Sequence, residues 1–296
     1  MPDQAPVKRP LGFNLTASTI NSFNSCPWAW AQKKILKRKP PSDPSPYLVL
    51  GNSFHHIIED FYAREYNLGS WNTNWIFKNW ERVFKIEAKK EGAENHPQLH
   101  FIRSGGLTMI KNWVAMAKEN DWLQDPFIIN GKPAVELKFS VPYDNDRFEA
   151  KMTGAIDLVM HSKRLNRLSV IDWKSGKHHD NYRMQGLIYS ATFYKQYGFT
   201  EDEVLFVHPA KKQNIIKRFQ FEDTDYKEIT SSVDVIFDAV EKNEFPKVKH
   251  DGCKYCPWTE CENNCNKNLK LEEAKESPAK FDLLAADSQL EEPDQL

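Results

Sequence analysis

Hydrophobic residues recur every three or four positions through the first part of the chain, a spacing typical of amphipathic helices. The pattern predicts a first helix, capped by Thr16 or Ser18, whose apolar residues run from Ile20 to Ile35. The prolines within residues 40–46 cannot sustain a helix and predict a loop. Further helices are predicted over residues 50–66, 71–86 and 99–117.

After Pro126 the apolar residues alternate or form short runs, which indicates strands with a buried face. Helical spacing returns at about residues 181–197 and 226–242. The sequence therefore predicts an α/β (α+β) fold with a central mixed sheet flanked by helices. The predicted strands lie in PAVELKFSVPY, DRFEAKMTGAIDLVMH, LSVIDWKS, EVLFVHP and IIKRFQFE.

Composition divides the chain further. No apolar run approaches the roughly 20 residues that span a bilayer, and the opening residues lack the apolar stretch of a secretion signal, so we expect a cytoplasmic protein. The predicted divisions are a flexible leader (1–14), a helical N-terminal region (15–125), a core of sheet and helix (126–222), a C-terminal helix with a cysteine cluster (223–270) and a disordered acidic tail (271–296).

Charge is unevenly distributed. Residues 271–296 contain eight acidic residues and two lysines, so the total of −1 leaves +5 on residues 1–270. Two basic runs are able to hold phosphates, although such runs are more often solvated surfaces. They are Lys33, Lys34, Lys37, Arg38 and Lys39, and Lys211, Lys212, Lys217 and Arg218.

The most informative segment is VIDWKSGK at residues 170–177, which follows TGAIDLVM at residues 153–160. Side chains alternate along a strand, so Asp172 and Lys174 share one face. If the two segments pair as a hairpin, Asp157 brings a second carboxylate there. Two carboxylates suit Mg²⁺ or Mn²⁺, and a nearby lysine orients water and offsets negative charge on phosphorus. A surface salt bridge is the alternative, but buried carboxylates need partners.

Five separated motifs together resemble the RecB-like branch of the PD-(D/E)XK nucleases, which includes CRISPR adaptation nucleases and many phage exonucleases. The motifs follow the order used by that family. The resemblance implies a restriction-endonuclease-like core and a metal-dependent DNA exonuclease of the kind that phages often encode. The motifs are LTASTINSFNSCPWAW, GNSFHHIIEDFY, TGAIDLV, VIDWKSGK and MQGLIYS.

The resemblance also assigns roles to residues. His55 stands four positions after Gly51 as in the glycine-x-x-x-histidine motif, and His56 is the less favoured histidine. Gln185 and Tyr189 lie on one helical face, where they contact the DNA backbone, support the lysine or simply pack on the sheet. The implied metal ligands are His55, Asp157, Asp172 and the backbone carbonyl of Trp173, and the implied catalytic residues are Asp157, Asp172, Lys174, Gln185 and Tyr189.

Other positions stay open on the sequence alone. Glu136 stands where such folds often carry another acidic residue, and it either joins the metal shell or does not. Glu59 reads as a helix-surface residue. Trp71, Trp75 and Trp80 either stack on bases of a frayed DNA end or belong to the core.

Four of the five cysteines lie within residues 253–265, a spacing that indicates metal or iron–sulfur ligation in a reducing cytosol. The resemblance implies a 4Fe-4S cluster held by Cys26, Cys253, Cys256 and Cys261 that clamps the helical region over the sheet. Cys261 comes one residue early for the pattern and Cys265 three late, so either closes the site. Zinc held by the four C-terminal cysteines is the alternative.

These features predict hydrolysis of DNA from single-stranded or duplex ends, in recombination, repair or phage DNA processing. The alternatives are a CRISPR-type adaptation subunit and a catalytically idle DNA-binding or scaffold protein. The sequence leaves open a homo-oligomer and a recombination or replication partner protein.

Overall fold

A computed structural model describes residues 8–39, 45–68, 71–143, 145–176, 182–209, 215–250, 253 and 256–258. Its helices are α1 Ala17–Ser25, α2 Pro27–Lys34, α3 Pro46–Leu68, α4 Asn74–Lys90, α5 Leu99–Glu119, a short 3-10 turn Asp121–Gln124, α6 Arg183–Tyr197 and α7 Lys227–Lys242. Its strands are β1 Arg9–Pro10, β2 Ile128–Ile129, β3 Lys132–Pro133, β4 Val135–Pro142, β5 Phe148–Glu149, β6 Lys151–Ser162, β7 Arg167–Trp173, β8 Glu203–His208 and β9 Ile215–Phe219.

The central sheet has the strand order β4-β6-β7-β8-β9. β7 and β8 run parallel because α6 connects them, whereas the other neighbouring pairs are antiparallel. A mixed α/β fold with a central sheet flanked by helices is thus confirmed, as is the predicted hairpin between β6 and β7.

Side chains of the central strands alternate between two cores, one on each face of the sheet. In β7 and β8, Val170 and Phe206 belong to the first core, whereas Ile171 and Leu205 belong to the second. Residues of α1, α2, α6 and α7 complete the first core, and residues of α3, α4 and α5 complete the second. Burial on both faces explains why these strands are almost continuously apolar.

The predicted first helix is two helices that meet at Cys26. This residue is extended (φ −160°, ψ 98°), and Pro27 begins α2 as its first residue. The first helical position suits proline because its N–H would have no partner within the helix. Thr16, rather than Ser18, caps α1, since its hydroxyl accepts a hydrogen bond from the Thr19 N–H at 2.9 Å. The prediction of one continuous helix was therefore wrong.

The second half of the predicted leader pairs with strand β5 and packs against the first core. β1 pairs in parallel with β5, and the N–H of Arg9 donates to the carbonyl of Arg147 at 3.0 Å. Leu11 is buried in the first core. The expectation of a loose leader was thus wrong over residues 8–14, because burial of a few apolar side chains anchors the segment. Residues 1–7 and the predicted tail 271–296 lie outside the described residues.

The tryptophans of the helical region belong mainly to the core. The Trp80 ring is 1% exposed and fills the space over Gly106, where a glycine permits close packing of α4 on α5. Trp71 packs edge-on against Phe61 with 4.7 Å between ring centroids, and Trp75 is half-buried. Base stacking by Trp80 was therefore the wrong interpretation. No helix in the described part of the chain combines the length and the apolar character needed to cross a lipid bilayer.

Candidate metal centre

Three side chains from three elements meet at one end of the central strands. His55 on α3, Glu136 on β4 and Asp157 on β6 each offer a ligand atom, and these atoms all lie within 4.8 Å of one another. His55 Nδ1 is 3.4 Å from Asp157 Oδ2 and 3.5 Å from Glu136 Oε1. Helix α3 approaches closely because Gly51 has no side chain: a Cβ there would lie 3.0 Å from the Ser175 hydroxyl.

In both β4 and β6, the alternation of side chains between the two faces of the sheet is interrupted at this metal-ligand group. In β6, Ile156 packs in the first core and Leu158 in the second, although residues two apart on a regular strand face one side. In β4, Leu137 packs against the first core and Val135 against the second. Glu136 has a positive φ of 45°, a backbone conformation that is uncommon outside glycine. This irregularity turns the Glu136 carboxylate toward His55.

Asp172 lies beside this group and is held by α6 and by its own lysine. Its Oδ1 accepts hydrogen bonds from the Tyr189 hydroxyl at 2.9 Å and from Gln185 Nε2 at 2.8 Å. Its Oδ2 is 2.6 Å from Lys174 Nζ, and this ammonium also donates to Gln185 Oε1 at 2.8 Å. The predicted common face of Asp172 and Lys174 is therefore present, and α6 brings Gln185 and Tyr189 to it.

Asp157 joins the two halves of the site. The backbone N–H of Trp173 donates to Asp157 Oδ2 at 2.7 Å, so the acid of β6 is tied to the end of β7. This is the same oxygen that lies near His55. The structure thus brings the possible ligand atoms of His55, Glu136 and Asp157 close enough to share one metal ion. Asp172 lies next to them. Metal ligation by the Trp173 carbonyl stays a prediction.

The crowding of acids changes the ionisation of the site. Burial and the nearby Asp157 charge raise the pKa of Asp172 to about 6, although Lys174 opposes the change. Burial would lower the pKa of His55, but Asp157 and Glu136 raise it well above its usual value. Burial and the charge of Asp172 also raise the pKa of the Tyr189 hydroxyl, which therefore keeps its proton and donates to Asp172. The centre attracts positive charge.

Two neighbouring residues point elsewhere. His56 turns toward α4, where its Nδ1 is 2.7 Å from Glu87 Oε1. Glu59 is exposed, as its position on α3 predicted. Glu136 is the group member that the sequence could not decide, and the strand positions alone gave no sign of its positive φ.

The predicted cysteine site is described only in part. Cys26 is buried and packs with Trp28 and Trp258, and Cys256 packs against the same cluster. The N–H of His250 donates to Cys253 Sγ at 3.3 Å. The structure therefore brings the start of α2 and the C-terminal cysteine segment together. Cys261 and Cys265 lie outside the described residues.

Comparison with known proteins identifies the fold family. The chain matches the family model described as the PD-(D/E)XK nuclease superfamily over residues 14–261. No curated protein matches it. A candidate exonuclease from Eubacterium rectale is similar in structure over 93% of this chain and 93% of its own, with a TM-score of 0.47 and 12% identity. The protein SSO0001 is similar over 85% and 96%, with a TM-score of 0.32 and 12% identity.

These two structural likenesses are too distant to carry an argument about activity. The family match, in contrast, extends over a range of residues within which the candidate metal centre lies. It covers most of the chain, and the chain belongs to the PD-(D/E)XK nuclease superfamily.

Proposed function

We propose that the chain is a divalent-metal-dependent deoxyribonuclease of the RecB-like type that hydrolyses phosphodiester bonds from DNA ends. The observation that carries the proposal is the convergence of His55, Glu136 and Asp157 within 4.8 Å, next to the Asp172–Lys174 pair. The preference for ends and the RecB-like type rest on the order of the five sequence motifs. Phage origin and a role in recombination, repair or DNA processing belong to the same proposal.

The donor set fits Mg²⁺ or Mn²⁺. The ion would be held by His55, Glu136 and Asp157. Asp172 would join them through the oxygen lone pairs that its contacts with Gln185, Tyr189 and Lys174 leave open. Carboxylate oxygens suit both ions, and an imidazole nitrogen favours Mn²⁺ somewhat. The side chains of His55 and Glu136 are 28% and 25% exposed, so a phosphate has access to the centre. When bound, such an ion lowers the pKa of water and neutralises phosphate charge.

The chain's own residues position the reactants. The ammonium of Lys174 lies 2.6 Å from Asp172 Oδ2 and would stabilise the negative charge that develops on the phosphate oxygens. Gln185 bridges Lys174 and Asp172, and Tyr189 fixes Asp172 from the other side. Hydrolysis adds the oxygen of water to phosphorus, breaks the bond from phosphorus to the sugar oxygen and leaves a proton on that oxygen.

The test is a cleavage assay with linear DNA, labelled at either the 5′ or the 3′ end, and with closed circular DNA. We expect Mg²⁺- or Mn²⁺-dependent release of label from linear DNA, from single strands, duplexes or both, with circles left intact. Lys174→Ala should reduce the rate by about a hundredfold or more. Lys195→Ala is the matched control, because Lys195 lies in the last turn of α6 and donates to the Pro142 carbonyl at 2.8 Å rather than pairing with Asp172.

The results of this assay distinguish an end-specific nuclease from a nuclease without preference for ends and from an idle DNA-binding protein. Cleavage of circles at the same rate would refute the preference for ends while retaining a nuclease. Absence of cleavage with either metal, in protein that still binds DNA, would instead support the idle DNA-binding alternative.

We also propose that Cys26, Cys253, Cys256 and Cys261 hold a 4Fe-4S cluster, with Zn²⁺ as the alternative. The support is the packing of Cys256 against the buried group of Cys26 and Trp258, which joins distant parts of the chain. Protein purified without oxygen should be brown and contain iron, and Cys26→Ser should remove both. Colourless protein that contains zinc would favour the alternative, and full iron content in Cys26→Ser would refute the long-range clamp.

A further inference from the structure

The ammonium of Lys174 lies near two aromatic rings as well as its polar partners. Its Nζ lies 5.2 Å from the ring centroid of Tyr182 and 5.4 Å from that of Phe206. The two rings are stacked, with centroids 4.8 Å apart and an interplanar angle of 13°. Both distances are within the roughly 6 Å over which a ring face attracts a cation.

The polar and aromatic contacts restrain the lysine in different ways. Two of the three N–H donors of an ammonium are accounted for by Asp172 and Gln185. Because a ring face attracts the charge without requiring a particular N–H direction, the aromatic contact restrains the ammonium without using its last donor. Among the described residues this donor has no further polar partner, so it can meet water or a phosphate oxygen.

The two rings differ in their place in the fold. Phe206 is a fully buried residue of β8, and its removal would open the core. Tyr182 is 7% exposed and occupies the N-cap position of α6. Tyr182, Gln185 and Tyr189 are spaced three and four residues apart, so they lie on one side of the helix start and its first two turns. α6 thereby presents three contacts to the site.

We infer that Tyr182 is a positioning residue for Lys174, whose ring face holds the ammonium where it meets the reacting phosphate. The inference rests on the proposed nuclease function and adds a residue that the sequence motifs do not contain. The hydroxyl of Tyr182 is not required, because the attraction arises from the ring. Loss of the ring should therefore lower turnover more than it weakens DNA or metal binding.

The first test compares Tyr182→Leu with Tyr182→Phe. We expect Tyr182→Leu to lower kcat by roughly tenfold, with KM and the Mn²⁺ dependence unchanged, because a desolvated cation–π contact has about that strength. Tyr182→Phe should keep the wild-type kcat. Phe221→Leu is the matched control: Phe221 lies 5.6 Å from the Arg183 guanidinium and contacts α6 at Gly186, so its loss removes a similar contact away from the lysine.

A second test changes the ring electronically and leaves its shape nearly the same. Phenylalanine carrying one, two or three fluorines at position 182 has a progressively weaker negative face. We expect log kcat to fall stepwise with fluorination while the melting temperature stays constant. This series remains informative if Tyr182→Leu does not fold, because packing is preserved.

Each outcome decides the inference. Equal losses in Tyr182→Leu and Tyr182→Phe would assign the effect to the hydroxyl and overturn it, as would a kcat that ignores fluorination. Wild-type protein without cleavage would instead refute the proposed function and is distinguishable from either result.

Discussion

Carboxylates are buried at both ends of strands β7 and β8, but the positive charges that neutralise these carboxylates differ between the two ends. At the start of β8, Glu203 accepts a hydrogen bond from Ser169 at 2.8 Å and lies 2.6 Å from Arg218 Nε and 3.6 Å from Arg167 Nη1. One acid therefore has two guanidinium partners. At the other end, within the described residues, three acids share one lysine and one histidine.

The difference indicates which end is structural and which is built for a ligand. An acid that already has two guanidinium partners has no need of a further cation. Asp157, Glu136 and Asp172 have more negative charge than Lys174 and His55 offset, and burial together with the Asp157 charge raises the pKa of Asp172. A divalent cation would correct it, so the comparison predicts that activity and stability respond in opposite ways at the two ends.

The largest expected effect is on cleavage. Asp157→Asn should reduce metal-dependent hydrolysis by about a thousandfold or more, because it removes a ligand that also anchors the end of β7 through the Trp173 N–H. DNA binding should persist, since a negative charge near the phosphate is removed. Binding can be followed by fluorescence anisotropy with Ca²⁺ in place of Mn²⁺. If the variant cleaved at more than a tenth of the wild-type rate, Asp157 would not be an essential metal ligand.

The second effect is on stability against pH in metal-free protein. The pKa of Asp172 is about 6 in the folded chain against an ordinary 3.8, so the folded state holds this proton more tightly. The stabilisation is complete below about pH 4 and is lost as pH rises through about 6, a change of at most about 3 kcal/mol. In EDTA at pH 7, Asp172→Asn should thus be more stable than wild type.

Urea unfolding of both proteins between pH 4 and pH 7 measures this difference. The two curves should converge near pH 4, where the wild-type acid is protonated and resembles the amide. Parallel curves over the whole range would show that Asp172 is not destabilised by its surroundings.

The contrast between the ends also explains what the sequence could predict. Asp172 and Lys174 are two residues apart on a strand, so the period of two placed them on one face without knowledge of the tertiary structure. The hairpin of β6 and β7 then placed Asp157 nearby. Glu136 could not be decided in the same way, because its direction depends on a local reversal of facing that the apolar pattern of β4 does not show.

The apolar pattern also failed to predict short or interrupted elements, because their positions depend on contacts or breaks that the pattern does not show. β1 has two residues, which are too few to show a period, and its pairing with β5 depends on contacts far along the chain. The helix break at Cys26 was missed although Pro27 marks it, because apolar spacing continues across both helices. Proline suits the first position of a helix but not its interior, so Pro27 is compatible with a new helix start and not with one helix that runs from residue 17 to residue 35.

The third effect is a loss of stability at the arginine end. Glu203→Gln should lower the free energy of unfolding by about 2 kcal/mol, since Arg167 and Arg218 lose their charged partner and the amide replaces a strong acceptor. The rate of cleavage per folded molecule should stay at the wild-type value. Unfolding in urea and cleavage at a temperature where the variant is folded provide the two measurements. A loss of kcat with unchanged stability would reverse the roles assigned to the two ends.

The smallest effect concerns the backbone of Glu136. Glycine adopts positive φ without the clash that other residues have, so Glu136→Gly should be more stable than Glu136→Ala by about 1 kcal/mol in metal-free protein. Both variants lack the carboxylate, so their difference isolates the backbone. Lys138, on the regular part of the same strand, supplies the control, because there glycine should be less stable than alanine by roughly 0.5–1 kcal/mol. If alanine were the more stable residue at both positions, the strand would not be strained at the site, and the turn of Glu136 toward His55 would need another cause.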